Sequence, residues 1–427
     1  MRPQTLQADI NMNPVKVTEQ DWTFIGAPTR QLTHCYHDYP ARMIPQVAGK
    51  ILDTFGREAK QLFDPYCGSG TSLVEGVIRG INVKGTDLNP LARLMAKAKT
   101  SINTIESVDK AIVDIDHFIR HGKAPVVDHI EGISRLHFWF KEAVVEKLSL
   151  LRTFIEKIEE EELRWFFQVA FSETVRESSN TRNEEFKLYR YEEERLEKFD
   201  PDVYGIMMAK LARNREGLKS FLSIVKNFNY KPVAHIYDFN TVHEVPADKV
   251  APESIDIVVT SPPYGDSHTT VAYGQYSRLS AAWLGLPEAH KIDQKLMGSK
   301  KQKELPDLPS EELIEALGKI AETHYKRALE VGAFYTDLYA SINNVAKLVR
   351  SGGHACYVVG NRKVKGVVLP TDIVVKNFFE QFDFIYVDTF HRGIPNKRMP
   401  SKNSPTNAPG TVDQTMTREY IVVMRKS

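Results

Sequence analysis

Apolar residues change their spacing several times along the chain, and each change marks an element. Over residues 44–55 they recur every three or four positions, as on one face of a helix. Gln61-Leu62-Phe63 is a short apolar run that enters Asp64-Pro65-Tyr66-Cys67-Gly68-Ser69-Gly70-Thr71, and helical spacing resumes over residues 72–79. That order predicts a strand, a tight glycine turn and a helix. A second strand over residues 82–86 ends at Asp87, and Pro90 opens a helix that runs to about Lys99.

From about residue 109 to 229 the spacing is helical. Leu136, Phe140, Val144, Leu148, Leu151 and Phe154 fall three or four positions apart with charges between them, a helical insertion too long to be a loop. The acidic runs 159–162 and 192–194 read as solvated helix faces. Sheet-like sequence returns at 232–237, ending at Asp238, and in the β-branched run 255–260, ending at Ser261. Residues 265–310 contain Gly, Ser, Lys and Pro and are expected to form a mobile connection. A helix from about 309 to 349, a strand at 354–359, a helix at 372–382 and strands at 384–390 and 420–424 complete the chain. Strands alternating with helices predict an α/β fold with a doubly wound, Rossmann-like parallel sheet; the closely spaced last strands allow an antiparallel edge.

Composition narrows the class. The 427 residues are 42% hydrophobic and 26% charged, ordinary globular values that exclude a disordered or fibrous chain. The apolar runs fall well short of the roughly 20 residues that span a bilayer, so no membrane association is expected. The N-terminal stretch lacks a basic start followed by an apolar segment, so no signal peptide is expected. Three scattered cysteines, Cys35, Cys67 and Cys356, suit a reducing cytoplasm and provide neither a disulfide framework nor a four-cysteine zinc site. His34 and His37 are conceivable metal ligands, but no Cys or His cluster completes a site around them, so no metal is expected. The net charge of +1 conceals an asymmetry, because residues 343–427 hold thirteen Lys and Arg against six Asp and Glu.

Gly68 and Gly70 let the backbone bend sharply and let a ligand approach closely. Asp87 ends the following strand, where a carboxylate can accept hydrogen bonds from both ribose hydroxyls of a nucleoside. Neither G-x-G-x-x-G nor G-x-x-x-x-G-K-[ST] occurs at the turn, and it carries no phosphate-binding Lys, so a nucleoside without phosphates fits better. Residues 63–71 resemble the first motif of the S-adenosylmethionine (AdoMet)-dependent methyltransferases. The resemblance implies that Asp64, Cys67, Gly68, Ser69 and Gly70 lie along the methionine part of AdoMet. It further implies that Asp87 holds the ribose and that Asp238 reaches the adenine amino group.

Ser261-Pro262-Pro263-Tyr264 follows the β-branched strand. Two prolines stop the sheet ladder and hold the backbone extended, so that the Pro262 carbonyl can point away from the sheet. In a doubly wound sheet ligands collect beyond the carboxyl ends of the strands, so this turn is expected to face the crevice of the glycine turn. Methyl transfer to an exocyclic amine needs an acceptor that orients the NH2 group, a flat surface that holds the ring, and alignment of the reactants. The Ser261 hydroxyl and Pro262 carbonyl can supply the first and Tyr264 the second. Taken alone, Pro-Pro-Tyr is equally a strand-ending turn or an exposed polyproline ligand.

The tetrapeptide resembles the fourth motif of amino-methyltransferases acting on DNA. Asp or Asn usually opens that motif in enzymes making N6-methyladenine, whereas Ser-Pro-Pro-Tyr is similar to the cytosine-N4 group, although some enzymes carrying it act on adenine. Residues 33–42 and 360–362, and the stretch 392–398, also resemble segments of this family; the resemblance covers the catalytic core and leaves the helical insertion unmatched. The resemblance implies a methyltransferase core whose N-terminal, AdoMet-binding part is 1–108 and whose catalytic part is 230–427. Residues 109–229 are then an insertion available for target recognition. The implied activity is site-specific methylation of cytosine N4 in double-stranded DNA, in a prokaryotic restriction–modification system with a separately acting endonuclease. Adenine N6, and more distantly an RNA base, are the alternatives.

A paired cytosine cannot reach a cofactor at a sheet edge, so the base has to flip out while phosphate contacts hold the duplex. Arg362 and Lys363, beside Lys365, and Arg392, Lys397 and Arg398, beside Lys402, are the expected DNA contacts; a solvated basic loop is the plain alternative. Lys295, Lys300, Lys301 and Lys303 form a third basic patch. In the insertion, Arg176, Arg182, Lys187 and Arg190 could meet DNA or pair with neighbouring glutamates.

Overall fold

The computed structural model describes residues 22–182, 187–265, 273–287, 292–300, 302–394, 402–403, 413–414 and 416–427. Lys301, Lys397 and Arg398 lie outside them. Among the described residues, seven strands form one sheet: β1 (Gln61–Asp64), β2 (Asn82–Thr86), β3 (Ala234–Tyr237), β4 (Ile255–Thr260), β5 (Val349–Val359), β6 (Phe384–Gly393) and β7 (Arg418–Lys426). Their order is β3-β2-β1-β4-β5-β7-β6. The first five are parallel, and β7 runs antiparallel to both β5 and β6. The chain therefore forms the expected doubly wound α/β sheet with an antiparallel edge.

Side chains alternate across this sheet and divide the core in two. Leu62, Ile257, Val259, Cys356 and Val358 face one side. There they meet α1 (Pro45–Phe55), α2 (Thr71–Val77) and α3 (Pro90–Thr100). Phe63, Val258, Ala355, Tyr357 and Val359 face the other side and meet α9 (Glu311–Ala346) and α10 (Thr371–Glu380). Burial on both faces explains the nearly continuous apolar sequence of β4. The long helix α9 is interrupted at His324, whose φ of −145° and ψ of 65° are not helical. Among the described residues no helix is long and apolar enough to cross a membrane.

Between α3 and β3 run α4 (Ile105–His121), α5 (Glu142–Glu156), α6 (Glu161–Ser178) and α7 (Val203–Val225). Their apolar stripe does not build a separate core. Leu136, Phe140, Val144, Leu148 and Leu151 are buried in the cluster that also holds Leu62 and Val74, and Phe154 packs against it. The stretch expected to be a mobile connection carries α8 (Tyr273–Trp283), whose Trp283 is buried edge-on against Phe140 at 5.7 Å between ring centres. Leu279, Ala282 and Trp283 share one helical face, a pattern that the surrounding Gly, Ser and Lys residues obscure.

Candidate active site

The glycine turn is held by two carboxylates. At the end of β1, Asp64 accepts from the backbone N–H of Tyr66 at 3.0 Å, from the Thr260 hydroxyl at 2.5 Å and from the Ser72 hydroxyl. Thr260 ends β4 directly before Ser261, so Asp64 ties the glycine turn to the Ser-Pro-Pro-Tyr turn. Burial pushes its carboxyl up to about 6, against the lowering effect of these hydrogen bonds. Asp87, past the end of β2, accepts from Gly68 N–H at 3.0 Å on one oxygen and from Asn89 N–H at 2.8 Å on the other. Each oxygen keeps a lone pair for a further donor. Desolvation raises this carboxyl too.

Glycine is required at Gly70. Its φ is +85°, and a Cβ there would lie 2.9 Å from Ala96 Cα of α3. The Cys67 thiol, buried against Gly85, is pushed well above its usual range by desolvation and is a packing group.

One cavity joins the two turns. Asp64, Cys67, Gly68, Ser69 and Asp87 line it from the glycine side, and Ser261 and Pro263 from the other. The Ser69 and Thr71 hydroxyls are buried on its wall without a hydrogen-bond partner. Buried polar atoms are rarely left so, and these two suit a ligand's polar groups. With the free lone pairs of Asp87 and a backbone kept bare by Gly68, they fit the polar methionine and ribose parts of AdoMet.

Asp238 takes no part in this wall. It is exposed, and Phe239, Asn240 and Thr241 line the cavity in its place. The reason is a bend after β3: the Phe239 carbonyl accepts from the Thr86 hydroxyl at 2.6 Å, which draws residues 239–241 inward and leaves Asp238 on the outside.

Tyr39 and Tyr273 add an aromatic wall, their rings stacked 5.6 Å apart at 29°. The Asn89 amide donates to the Tyr39 hydroxyl at 3.1 Å and to Ser277 of α8 at 2.7 Å, fixing both walls to the end of β2. His34 and His37 lie in the core behind Tyr39. They meet Glu75 and Ser172 at 2.9 Å, and burial lowers both imidazoles, His37 to about 4. Among the described residues no group of three or more His, Cys, Asp or Glu could hold a metal.

Beyond β4, the Ser261 hydroxyl lies 3.2 Å from the Tyr264 hydroxyl, which donates to Glu419 of β7 at 2.9 Å. The Tyr264 ring rests on Gly360, where a Cβ would approach it to 3.1 Å. Arg362 presses against Gly265, so this expected DNA contact stands beside the Ser-Pro-Pro-Tyr turn. Lys363 and Lys365 are exposed on the hairpin that pairs Lys363–Val364 with Val367–Val368.

Arg392 is different. It is 5% exposed, pairs with Glu419 directly across the β6–β7 ladder and donates to the Trp22 carbonyl at 3.2 Å. It is a core residue out of reach of phosphate. In the insertion, Arg176 lies 3.7 Å above the Tyr276 ring and donates to its carbonyl, holding α8 to α6, while Arg182 and Arg190 pair with Glu192 and Glu193.

No family model matches the chain. It is 42% identical to the type II methyltransferase M.MvaI of Kocuria varians over 423 residues, 94% of this chain and 93% of that one. It is 21% identical to M.BsoBI of Geobacillus stearothermophilus over 96% of this chain and 82% of that one. Among solved structures, the rRNA methyltransferase AviRa of Streptomyces viridochromogenes aligns at a TM-score of 0.32 with 12% identity, over 91% of this chain and 88% of that one. The cofactor is AdoMet, and the chain belongs to the type II methyltransferases.

Proposed function

We propose that the protein is a site-specific DNA methyltransferase that modifies the exocyclic N4 of cytosine in duplex DNA. The observation that carries this reading is that Ser261 and Pro263 line the same cavity as Gly68, Ser69 and Asp87. The near full-length likeness to a type II methyltransferase supports it. AdoMet supplies an activated methyl group when bound. The chain has to bring an amine to it in the correct orientation.

The Ser261 hydroxyl and the Pro262 carbonyl accept the two N–H groups and turn the nitrogen lone pair toward the cofactor side. Tyr264, backed by Gly360, holds the ring. Asp64 keeps the two turns in register, and such alignment contributes about 7–11 kcal/mol in ideal cases. Flipping the base costs a few kcal/mol, which phosphate contacts have to offset. Arg362, Lys363 and Lys365 beside the turn are suited to those contacts, together with Lys295, Lys300 and Lys303. Helices α4–α7 are the largest segment available for reading the target. A prokaryotic cytoplasmic setting and a cognate endonuclease acting separately complete the reading.

The test is to incubate the protein with duplex DNA and AdoMet, digest to nucleosides and identify the product by mass spectrometry. N4-methylcytosine is expected. N6-methyladenine would overturn the argument from Ser261, and methylation of RNA but not DNA would overturn the substrate class.

A further inference from the structure

The hydroxyl groups of the Ser-Pro-Pro-Tyr turn form a directed chain that ends in a partly buried ion pair. Arg392 stands directly opposite Glu419 across β6 and β7, and its Nη1 donates to one carboxylate oxygen. The other oxygen accepts from the Tyr264 hydroxyl at 2.9 Å. A carboxylate held by a guanidinium only accepts hydrogen bonds, so the single proton of the Tyr264 hydroxyl has to point at Glu419. The lone pairs of that hydroxyl then accept, and Ser261 Oγ, 3.2 Å away, has to donate its own proton to it. What Ser261 presents to the cavity is therefore lone pairs alone.

We propose that Glu419 and Arg392 are positioning residues that fix the proton direction of the Tyr264–Ser261 pair, so that Ser261 meets the substrate amine only as an acceptor. This rests on the reading of the Ser-Pro-Pro-Tyr turn as the amine site. The chemical consequence is specific. A freely rotating serine hydroxyl could also donate to the amine nitrogen and engage the lone pair that has to attack the methyl group. A fixed acceptor leaves that pair free. It also disfavours a base with a carbonyl oxygen in place of the amine, since two acceptors would then face each other in a desolvated site.

The substitution Glu419→Gln keeps the shape and reverses the direction. The amide oxygen turns to Arg392, its NH2 donates to the Tyr264 hydroxyl, the tyrosine proton turns to Ser261, and the serine proton is driven into the cavity. With the wild-type protein methylating duplex DNA, single-turnover transfer by Glu419→Gln should fall about 10- to 100-fold, the range of a buried hydrogen bond turned unfavourable. AdoMet affinity should stay within about twofold, since no cofactor-side group is touched.

Tyr264→Phe cuts the chain and leaves the serine free rather than reversed, so it should be less impaired. Adding Glu419→Gln to Tyr264→Phe should change nothing further. Full activity of Glu419→Gln overturns the proposal, as does Tyr264→Phe being as slow or slower, or Glu419→Gln costing as much when combined with Tyr264→Phe as it does alone. If Glu419→Gln does not fold, Tyr264→Phe alone must lower kcat with KM for AdoMet unchanged; an unchanged kcat overturns the proposal. A wild-type protein without activity on DNA would instead sink the functional reading beneath it.

Discussion

Two glycines with the same backbone angle separate the geometry of the glycine turn from the ordinary strain of a positive φ. Gly70 and Gly366 both have φ of +85°. A Cβ at Gly366 meets nothing within 4 Å, whereas at Gly70 it would lie 2.9 Å from Ala96 Cα and 3.0 Å from Ala96 Cβ. Gly366→Ala should therefore cost only the left-handed backbone penalty, about 1–2 kcal/mol. Gly70→Ala carries that penalty and also overpacks α2 against α3, which adds about 1–3 kcal/mol. The obstacle is backbone, so relief requires the glycine turn itself to move. Urea unfolding of both variants in one buffer measures the difference, and isothermal titration with AdoMet measures the displacement. Gly70→Ala should be the less stable of the two and the only one to bind AdoMet weakly. Equal destabilisation within about 0.5 kcal/mol, or wild-type affinity in Gly70→Ala, would refute the packing account.

Asp64 predicts a pH dependence. Its carboxyl is lifted to about 6 from 3.8 for a free side chain, so between those values the folded state holds more protons than the unfolded. Stability should fall as pH rises through that window, and Asp64→Asn should flatten this limb; superimposable unfolding profiles of the two proteins would contradict it. Tyr264→Ala should abolish methyl transfer while AdoMet binding stays close to wild type, and equal loss of both would mean that the ring supports the fold instead. Lys363→Ala and Lys365→Ala should each weaken DNA binding and reduce the slope against log salt by about one. Arg392→Ala should instead destabilise the fold by up to about 3 kcal/mol, because it leaves the partly buried Glu419 without its cation; a stable variant with weakened DNA binding would reverse that assignment.

The parts of this molecule governed by local chemistry are legible in its sequence. The glycine turn, the carboxylate after β2 and the proline-ended β4 follow from short motifs whose residues act within a few positions of one another. The alternation of strands with helices along the chain, and with it the doubly wound sheet, follows from the same runs. What the sequence does not reveal depends on register and bends. Arg392 looks like one member of a basic loop, and only the antiparallel pairing of β6 with β7 sets it against Glu419. Asp238 sits at a strand end as Asp87 does, yet the Thr86–Phe239 hydrogen bond turns the following residues inward in its place. Tyr273 joins the cavity because α8 is anchored through Asn89 and Arg176, contacts made across a separation of about a hundred residues or more. Asn89 directly before Pro90 does mark the start of α3, but nothing in that dipeptide announces its second task of holding Tyr39.

A crystal structure of the protein with AdoMet bound shows whether one cavity serves both the cofactor and the amine acceptor. The ribose is expected on Asp87, ligand atoms on the orphaned Ser69 and Thr71 hydroxyls, and the methyl group directed toward Ser261. Cofactor bound away from Asp87, or with its methyl group turned from the Ser-Pro-Pro-Tyr turn, would contradict it.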